Sequence, residues 1–339
     1  MNTKNLIAIL FALMAAVFYA VSVPFSKIIM KNIAPVFMAS FLYLGAGVGI
    51  SLLAFLKLEK KKSEPLTKKD LPFVIGMIVL DIAAPIFLMT GINYGTSSNA
   101  SLLGNLEIVA TTLIALLIFH ENISKRLWLA LSLITLSGIV LTFEGTDSLK
   151  FSSGSIFVIL AALCWGFENN CTRKISSKNT YEIVILKGIF SGLGALAIAF
   201  VIGENIPAGL SVIYSMVLGF VSYGLSIFFY VKAQNVLGAA KTSAYYAAAP
   251  FIGALMSFIF LDEKLSLSYI AALVIMLAGS WLVVIDTLIQ SHNHQHTHVF
   301  TYIQGGIKHT KIITHTHSHN HYINSEEHRH FHIKGRSEQ

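Results

Sequence analysis

The sequence predicts an all-α membrane protein of ten transmembrane helices, built as two inverted five-helix repeats and followed by a His-rich tail. Three observations predict it. The chain of 339 residues is 55% hydrophobic and only 12% charged, about half the charged share of an ordinary soluble domain. Its apolar residues gather in windows of about twenty, the length of a helix that crosses a bilayer. Its second half repeats motifs of its first.

The windows run over roughly 5–28, 34–56, 71–93, 97–119, 127–143, 154–173, 181–202, 211–231, 243–260 and 268–288. Lys4 precedes the first window, as in a signal peptide. No small-residue cleavage site stands out and further windows follow, so it reads as a true span. The connections are short. The longest, between the second and third windows, holds Lys57, Lys60, Lys61, Lys62, Lys68 and Lys69. None has room for a soluble catalytic domain. Cys164 and Cys171 fall in one helix about 10 Å of rise apart, too far for a mutual disulfide, and read as small packing residues.

Lysine and arginine counts set the expected orientation. With a cytoplasmic N-terminus, the inner segments carry Lys4, those six lysines, Lys125, Arg126, Arg173, Lys174, Lys178, Lys232 and Lys241. The outer loops carry only Lys27, Lys31, Lys150 and Lys264. Ten spans return the tail to the cytoplasm. The net charge of +7 is then a topology signal in a cell-membrane protein, with no aromatic-interleaved basic patch or glycine-rich phosphate loop to suggest nucleic acid or nucleotide.

The repeats are legible in pairs of segments. Ala15-Ala16-Val17-Phe18-Tyr19-Ala20 matches Ala161-Ala162-Leu163-Cys164-Trp165-Gly166, which sets Lys27 opposite Arg173. Ile118-Phe119-His120-Glu121 matches Phe260-Leu261-Asp262-Glu263, and Leu136-Ser137-Gly138 matches Leu277-Ala278-Gly279. Five spans per repeat is odd, so the two copies have opposite orientation, as in many secondary transporters whose site lies between the repeats. The expected units are residues 1–145, 151–288 and the tail 291–339.

These residues resemble the drug/metabolite transporter superfamily, and within it the EamA-type ten-helix members, over about 5–288. The resemblance rests on Trp165-Gly166, Glu121, Glu263 and Pro250. It implies a small-molecule substrate, a metabolite or drug-like solute, carried through a cavity between the halves by exchange or proton coupling. Tyr19-Ala20 departs from the family's Trp-Gly or Trp-Ala step, and Leu106-Glu107-Ile108 has no proline where the second half has Pro250.

Charges inside spans each cost about 2.5–3.5 kcal/mol at mid-bilayer and need a reason. Glu107 is the leading candidate. Ala100, Gly104, Glu107 and Thr111 share a helical face, where small neighbours admit a ligand or a helix. A carboxylate there binds a cation, carries a proton, or simply pairs with Asn105 or another helix. Asp81 has the same logic, with Pro85 one turn on freeing a carbonyl. Glu168 shares a face with Trp165, which suggests a cation-binding corner; the alternative is a pair with Lys187. Lys187 alternatively snorkels to the interface. Tyr19, Tyr223, Tyr230, Tyr245 and Tyr246 are candidate cavity residues, or packing. Glu121 and Glu263 read as helix-end or interface residues.

The tail alternates histidine with other residues at His292, His294, His296 and His298, at His315, His317, His319 and His321, and at His330 and His332. Alternate residues of a strand share a face. Gly305-Gly306 can make a two-residue turn, pairing Gln304 with Ile307 and setting His296, His294 and His292 opposite His315, His317 and His319. A small β-hairpin sheet of this kind suits a transition metal ion: zinc, nickel or cobalt. The alternative is a polar tail with weak metal affinity.

The sequence therefore reads as a secondary transporter with a metal-binding regulatory tail, requiring no cofactor and leaving a homodimer open. Two other readings stay open: a divalent-metal transporter whose tail delivers or senses metal, and a non-transporting membrane metal sensor or scaffold. No nucleophile–base pair or cofactor loop suggests an enzyme.

Overall fold

The computed structural model describes residues 3–56, 64–119, 123–144, 150–237, 242, 245–304 and 307–322. Nine of its helical stretches are long and apolar enough to cross a membrane, and the shorter apolar helix Ala249–Leu261 makes a tenth among the described residues. The large side chains left exposed are apolar, including Leu10, Leu52, Phe55, Leu117, Val201 and Trp281. A soluble surface would carry charge there, so these are faces for lipid, and the molecule is a multi-pass membrane protein.

Span 1 is α1 (Thr3–Ala20) with α2 (Ser22–Ile29), and span 2 is α3 (Pro35–Phe55). Span 3 is α4 (Leu71–Tyr94), and span 4 is α5 (Ser97–Leu103) with α6 (Leu106–Phe119). Span 5 is α7 (Lys125–Thr142), span 6 is α8 (Ser153–Ile175) and span 7 is α9 (Thr180–Val201). Span 8 joins α10 (Gly209–Gly219) to α11 (Ser226–Leu237) through a π-helical turn, Phe220–Leu225. Span 9 is α12 (Ala249–Leu261) and span 10 is α13 (Leu267–Leu288). The short strands β1 (Phe143–Glu144) and β2 (Lys150–Phe151) pair where the halves join.

Local chemistry sets the helix starts. Pro35, Pro250 and Pro72 sit in first turns, where a missing N–H costs nothing. Thr96, Ser152 and Asn179 cap the helices that follow them through their side-chain oxygens. Inside span 3, α4 runs unbroken through Pro85.

The halves meet along a fixed set of contacts. Span 2 packs on spans 7 and 8, span 3 on spans 6 and 7, span 1 on spans 8 and 9, and span 4 on spans 6 and 9. Exchanging the halves turns this set into itself: the 3–6 contact becomes 8–1, the 4–6 contact becomes 9–1, and the 2–8 contact becomes 7–3. The 2–7 and 4–9 contacts map onto themselves.

At the 2–7 crossing the backbones touch. A Cβ on Gly188 would collide with the backbone nitrogen of Gly47, and one on Gly47 would lie 2.7 Å from the Ile189 nitrogen. Neither helix can withdraw without opening the core around it, since Tyr43 and Ala46 on the same helix are buried. Gly188→Val is therefore expected to destabilise the protein by at least the ~1–3 kcal/mol typical of overpacking. Thermal unfolding in detergent would read this, and an unchanged midpoint would remove the close approach from the account.

The described residues from 285 onward form a unit of their own. Within it β3 (Ile289–Gln304) and β4 (Ile307–Tyr322) pair antiparallel, with Gln304 opposite Ile307 and His296, His294 and His292 opposite His315, His317 and His319.

Candidate functional site

Three of the four charges expected inside the spans meet in one buried cluster. The Lys187 ammonium on α9 lies 3.0 Å from an Asp81 oxygen on α4 and 2.9 Å from a Glu168 oxygen on α8. Asp81 is fully buried, Glu168 is 2% exposed and Lys187 8%. The other Asp81 oxygen accepts a 2.9 Å hydrogen bond from the Tyr43 hydroxyl on α3, and Glu168 accepts one from Thr172 a turn along its own helix. The cluster joins spans 2, 3, 6 and 7 and draws on both halves. It holds two carboxylates for one ammonium, so with all three ionised it carries one uncompensated negative charge.

This corrects two expectations. Lys187 does not snorkel: it is held inward by two carboxylates, whose attraction in a low-dielectric interior outweighs the pull of the interface. Trp165, 7% exposed, does not form an open cation corner with Glu168, because the protein's own lysine occupies that carboxylate. The alternative pair of Glu168 with Lys187 is present, and Asp81 enlarges it to three.

Glu107 stands apart from the triad. Span 4 breaks at Gly104-Asn105, and Glu107 lies in the first turn of the second segment, α6. Tighter backbone bonds bridge the break: Asn105 N–H donates to the Leu102 carbonyl, Glu107 N–H to Gly104 and Ile108 N–H to Asn105, each at 3.0 Å. One Glu107 oxygen accepts a 2.6 Å hydrogen bond from the Asn169 amide, which also reaches the Thr111 hydroxyl at 3.3 Å. Asn170 donates to the Thr111 carbonyl at 3.2 Å and the Gly166 carbonyl at 2.8 Å. The Trp165-Gly166 step explains the fit. A Cβ on Gly166 would sit 2.5 Å from the Ala110 Cβ and 2.9 Å from the Thr111 nitrogen. Glycine is what lets α6 approach α8 closely enough for Asn169 to reach the carboxylate. Asn105 does not pair with Glu107: it is 2% exposed, and neither polar atom of its side chain has a partner.

A series of aromatic rings leads away from Tyr43, the Asp81 partner. Tyr43 contacts Tyr223 at 5.1 Å between centroids, Tyr223 contacts Tyr19 at 5.8 Å, Tyr19 contacts Tyr246 at 5.9 Å, and Tyr246 contacts Tyr230 at 5.1 Å. Tyr223 belongs to the π-helical turn of span 8. Tyr245, by contrast, has no ring contact among those described.

Charged side chains also clasp helix ends at the side expected to face outward. Glu263, just beyond α12, accepts from the backbone N–H of Ser97 at 2.7 Å and of Ser98 at 2.9 Å, capping α5 across the halves. Lys27 donates to the Gly95 carbonyl at 2.9 Å and to the Ile92 carbonyl at the end of α4. Glu204 accepts from Val36 N–H at 3.0 Å and Phe37 N–H at 2.9 Å, capping α3. Each charge has the sign that its helix end favours. At the opposite end, Glu182 accepts from Leu66 N–H at 2.9 Å, and Glu64 pairs with Lys178 at 2.9 Å, which holds the Lys178 ammonium above the usual lysine range. Among the described residues, no three His, Cys, Asp or Glu side chains gather as a metal site.

The family model for EamA-like transporters matches residues 6–143 and matches again over 152–285. The chain belongs to the EamA-like transporter family. An uncharacterized transporter of Methanothermobacter thermautotrophicus is 25% identical over 287 residues, 79% of this chain and 83% of its own length. The uncharacterized transporter YyaM of Bacillus subtilis is 20% identical over 224 residues, 63% of this chain and 73% of its own. One solved crystal structure shares the fold with a TM-score of 0.59, at 13% identity, over 83% of this chain and 98% of that one.

For this EamA-like transporter, the family positions behave differently from one another. Gly166 makes a helix crossing, and Glu263 is a cap on the other half rather than on its own helix end. Glu121, His330 and His332 lie outside the described residues, as do the side chains of the other tail histidines. Tyr43, Asn169 and Glu204 were not expected as site residues. Asn169 had the one usable signal, an amide beside Glu168 in a span; a tyrosine in a span and a glutamate in a loop are too common to carry one.

Glu263→Gln keeps the side chain's size and removes its charge. The α5 cap then loses about 1.5–3 kcal/mol of charge-assisted hydrogen bonding. The expected result is faster labelling of a cysteine placed at Ser101 by an impermeant maleimide. Equal rates in both backgrounds would mean that the clasp does not hold this face closed.

Proposed function

We propose that this protein is a secondary transporter that moves a small solute by alternating access between its two five-helix halves, in a cell membrane with both termini cytoplasmic. The observation that carries the reading is Lys187 of the second half, held between Asp81 of the first and Glu168 of its own. A buried ion cluster that spans two halves and has one carboxylate to spare adds little to stability compared with apolar packing. It does change energy whenever the halves shift, and Glu107, whose partner is the neutral Asn169 amide, is the group that takes up the coupling proton. The exchange symmetry of the helix contacts supports a rocking motion about the 2–7 crossing, with the Glu204, Glu263 and Lys27 clasps closing one face. The test is solute flux in proteoliposomes, with a metabolite panel, with and without a pH gradient. Absence of flux for every solute, with protein correctly inserted, would favour the scaffold reading.

The tail adds a regulatory metal site to this proposal. What supports it is the alternation of His292, His294 and His296, opposed in backbone register to His319, His317 and His315, a donor-rich pattern suited to zinc, nickel or cobalt. Full-length protein is expected to bind zinc saturably, with the binding lost when the chain ends at Leu288, while solute flux persists without its metal response. Loss of divalent-metal flux on truncation would instead support metal as the cargo.

A further inference from the structure

We propose that spans 4, 5 and 6 form a binding site for an acyl chain of an anionic phospholipid, whose headgroup lies against Lys125 and Arg126. The site goes beyond the transport reading and takes from it only the name of the leaflet, the cytoplasmic one.

The first observation is a groove on the membrane-facing side of the bundle. Two adjoining hollows, of about 320 and 360 Å³, share Val109, Leu113, Thr135 and Ile139 and so make one channel along α7. Trp128 lies at one end, and Thr142 at the other, beside Ile159 and Leu163 of α8. From Trp128 to Thr142 the helix rises about 21 Å. The hydrocarbon of one leaflet is about 15 Å deep, half of the bilayer core, so a lipid tail fits along the groove. Trp128, Thr135, Ile139 and Thr142 recur at helical steps and form one stripe of α7. A different face of α7 is already taken. There the Ser137 hydroxyl donates to the Ala272 carbonyl of span 10 at 2.7 Å, and Gly279 lets that span approach Ile134.

The lining selects for hydrocarbon. Ser132, Thr135 and Thr142 bring hydroxyls to the groove, and each donates to a carbonyl one turn back, at Trp128, Leu131 and Gly138. Their hydrogens are spent within the helix, so the walls suit an alkyl chain better than a polar solute.

The charge at one end selects the headgroup. Lys125 and Arg126 open α7, in a first turn that has no acid. Residues 120–128 hold one carboxylate, Glu121, against these two cations. Trp128, 45% exposed, sits one turn inward, at the depth where tryptophan meets the headgroup boundary. A phosphodiester there meets two cations, whereas a zwitterionic headgroup brings an ammonium of its own and gains less. Trp281 of span 10 supplies an internal contrast. It is 65% exposed near the same end of the bundle, but its helix, Leu267–Leu288, carries Asp286 and no lysine or arginine.

The test is tryptophan quenching by brominated lipids in vesicles of mixed phosphatidylcholine and phosphatidylglycerol. Two single-tryptophan proteins are needed, one keeping Trp128 and one keeping Trp281, with the other two tryptophans changed to phenylalanine. Trp128 is expected to report a preference of about five-fold or more for brominated phosphatidylglycerol over brominated phosphatidylcholine, and Trp281 close to none. Lys125→Gln with Arg126→Gln should bring Trp128 down to the Trp281 value, as should Thr135→Phe, which fills the groove. Lys125→Arg with Arg126→Lys should retain the preference. Equal quenching by both lipids at Trp128, or a preference unchanged in the glutamine pair or in Thr135→Phe, overturns the proposal. Quenching of Trp128 by neither lipid also overturns it, and assigns the groove to a protein surface such as a second copy. Native mass spectrometry of the unaltered chain repeats the comparison with every tryptophan in place. Phosphatidylglycerol should stay bound at collision energies that strip phosphatidylcholine, and equal loss of the two overturns the site. Both measurements read binding without flux, so failure here leaves the transport reading standing, and absence of flux leaves this site standing.

Discussion

Lys187→Met is expected to destabilise the protein by about 3–5 kcal/mol, the cost of leaving buried carboxylates without their counter-ion. Asp81 and Glu168 would then face each other unpaired at 0% and 2% exposure. The ratio of two carboxylates to one ammonium makes the converse change mild. Asp81→Asn leaves Lys187 paired with Glu168 and keeps an acceptor for the Tyr43 hydroxyl, so its expected cost is closer to about 1 kcal/mol. The triple variant Lys187→Met, Asp81→Asn, Glu168→Gln removes every charge and should recover most of the loss. Thermal unfolding of the detergent-solubilised protein ranks the three. If Lys187→Met were no worse than Asp81→Asn, the lysine would not be the keystone of the cluster.

Glu107→Gln has the second large effect, on function rather than on stability. Glutamine keeps the acceptor oxygen that Asn169 reaches at 2.6 Å, so the contact between α6 and α8 survives. What disappears is a group able to gain and lose a proton. In proteoliposomes the wild-type protein should accumulate solute up to about ten-fold per imposed pH unit, the roughly 1.4 kcal/mol that one coupled proton supplies. The variant should show the same slow flux with or without the gradient, while solute exchange at equal pH continues. A Gln variant that still follows the gradient would pass the coupling role to the Asp81–Lys187–Glu168 cluster.

The membrane class and the ten apolar segments were legible because span length and hydropathy are properties of single segments. The buried charges were legible for the same reason, since each carries a cost that needs no neighbour to be recognised. Their partners were not. Whether Lys187 turns to lipid or to Asp81 depends on how α9 is rotated against α4, and that is settled by backbone contact at Gly47 and Gly188, residues far apart in sequence. Glu107 was located by its charge and its small-residue face, and of the two partners expected for it, Asn105 or another helix, it is another helix that supplies one, through Asn169. Residues two apart on a helix do not face each other, so Asn105 was the weaker of the two. Gly104-Asn105, glycine followed by a poor helix former in the middle of a span, was the available signal for the break in span 4.

The π-helical turn Phe220–Leu225 has a genetic consequence. A π turn carries one residue more than an α turn over the same rise, so span 8 behaves as a helix with a tolerated insertion. Removing a single residue there would restore ordinary α geometry and leave the downstream residues in their present register. Ser226, whose hydroxyl reaches the Ala15 carbonyl at 2.8 Å, and Phe229, which lies against Phe11 and Phe18, would keep their places on span 1. A one-codon deletion in this stretch should therefore be tolerated far better than one elsewhere in the span, where the missing residue turns everything downstream by about 100° around the axis.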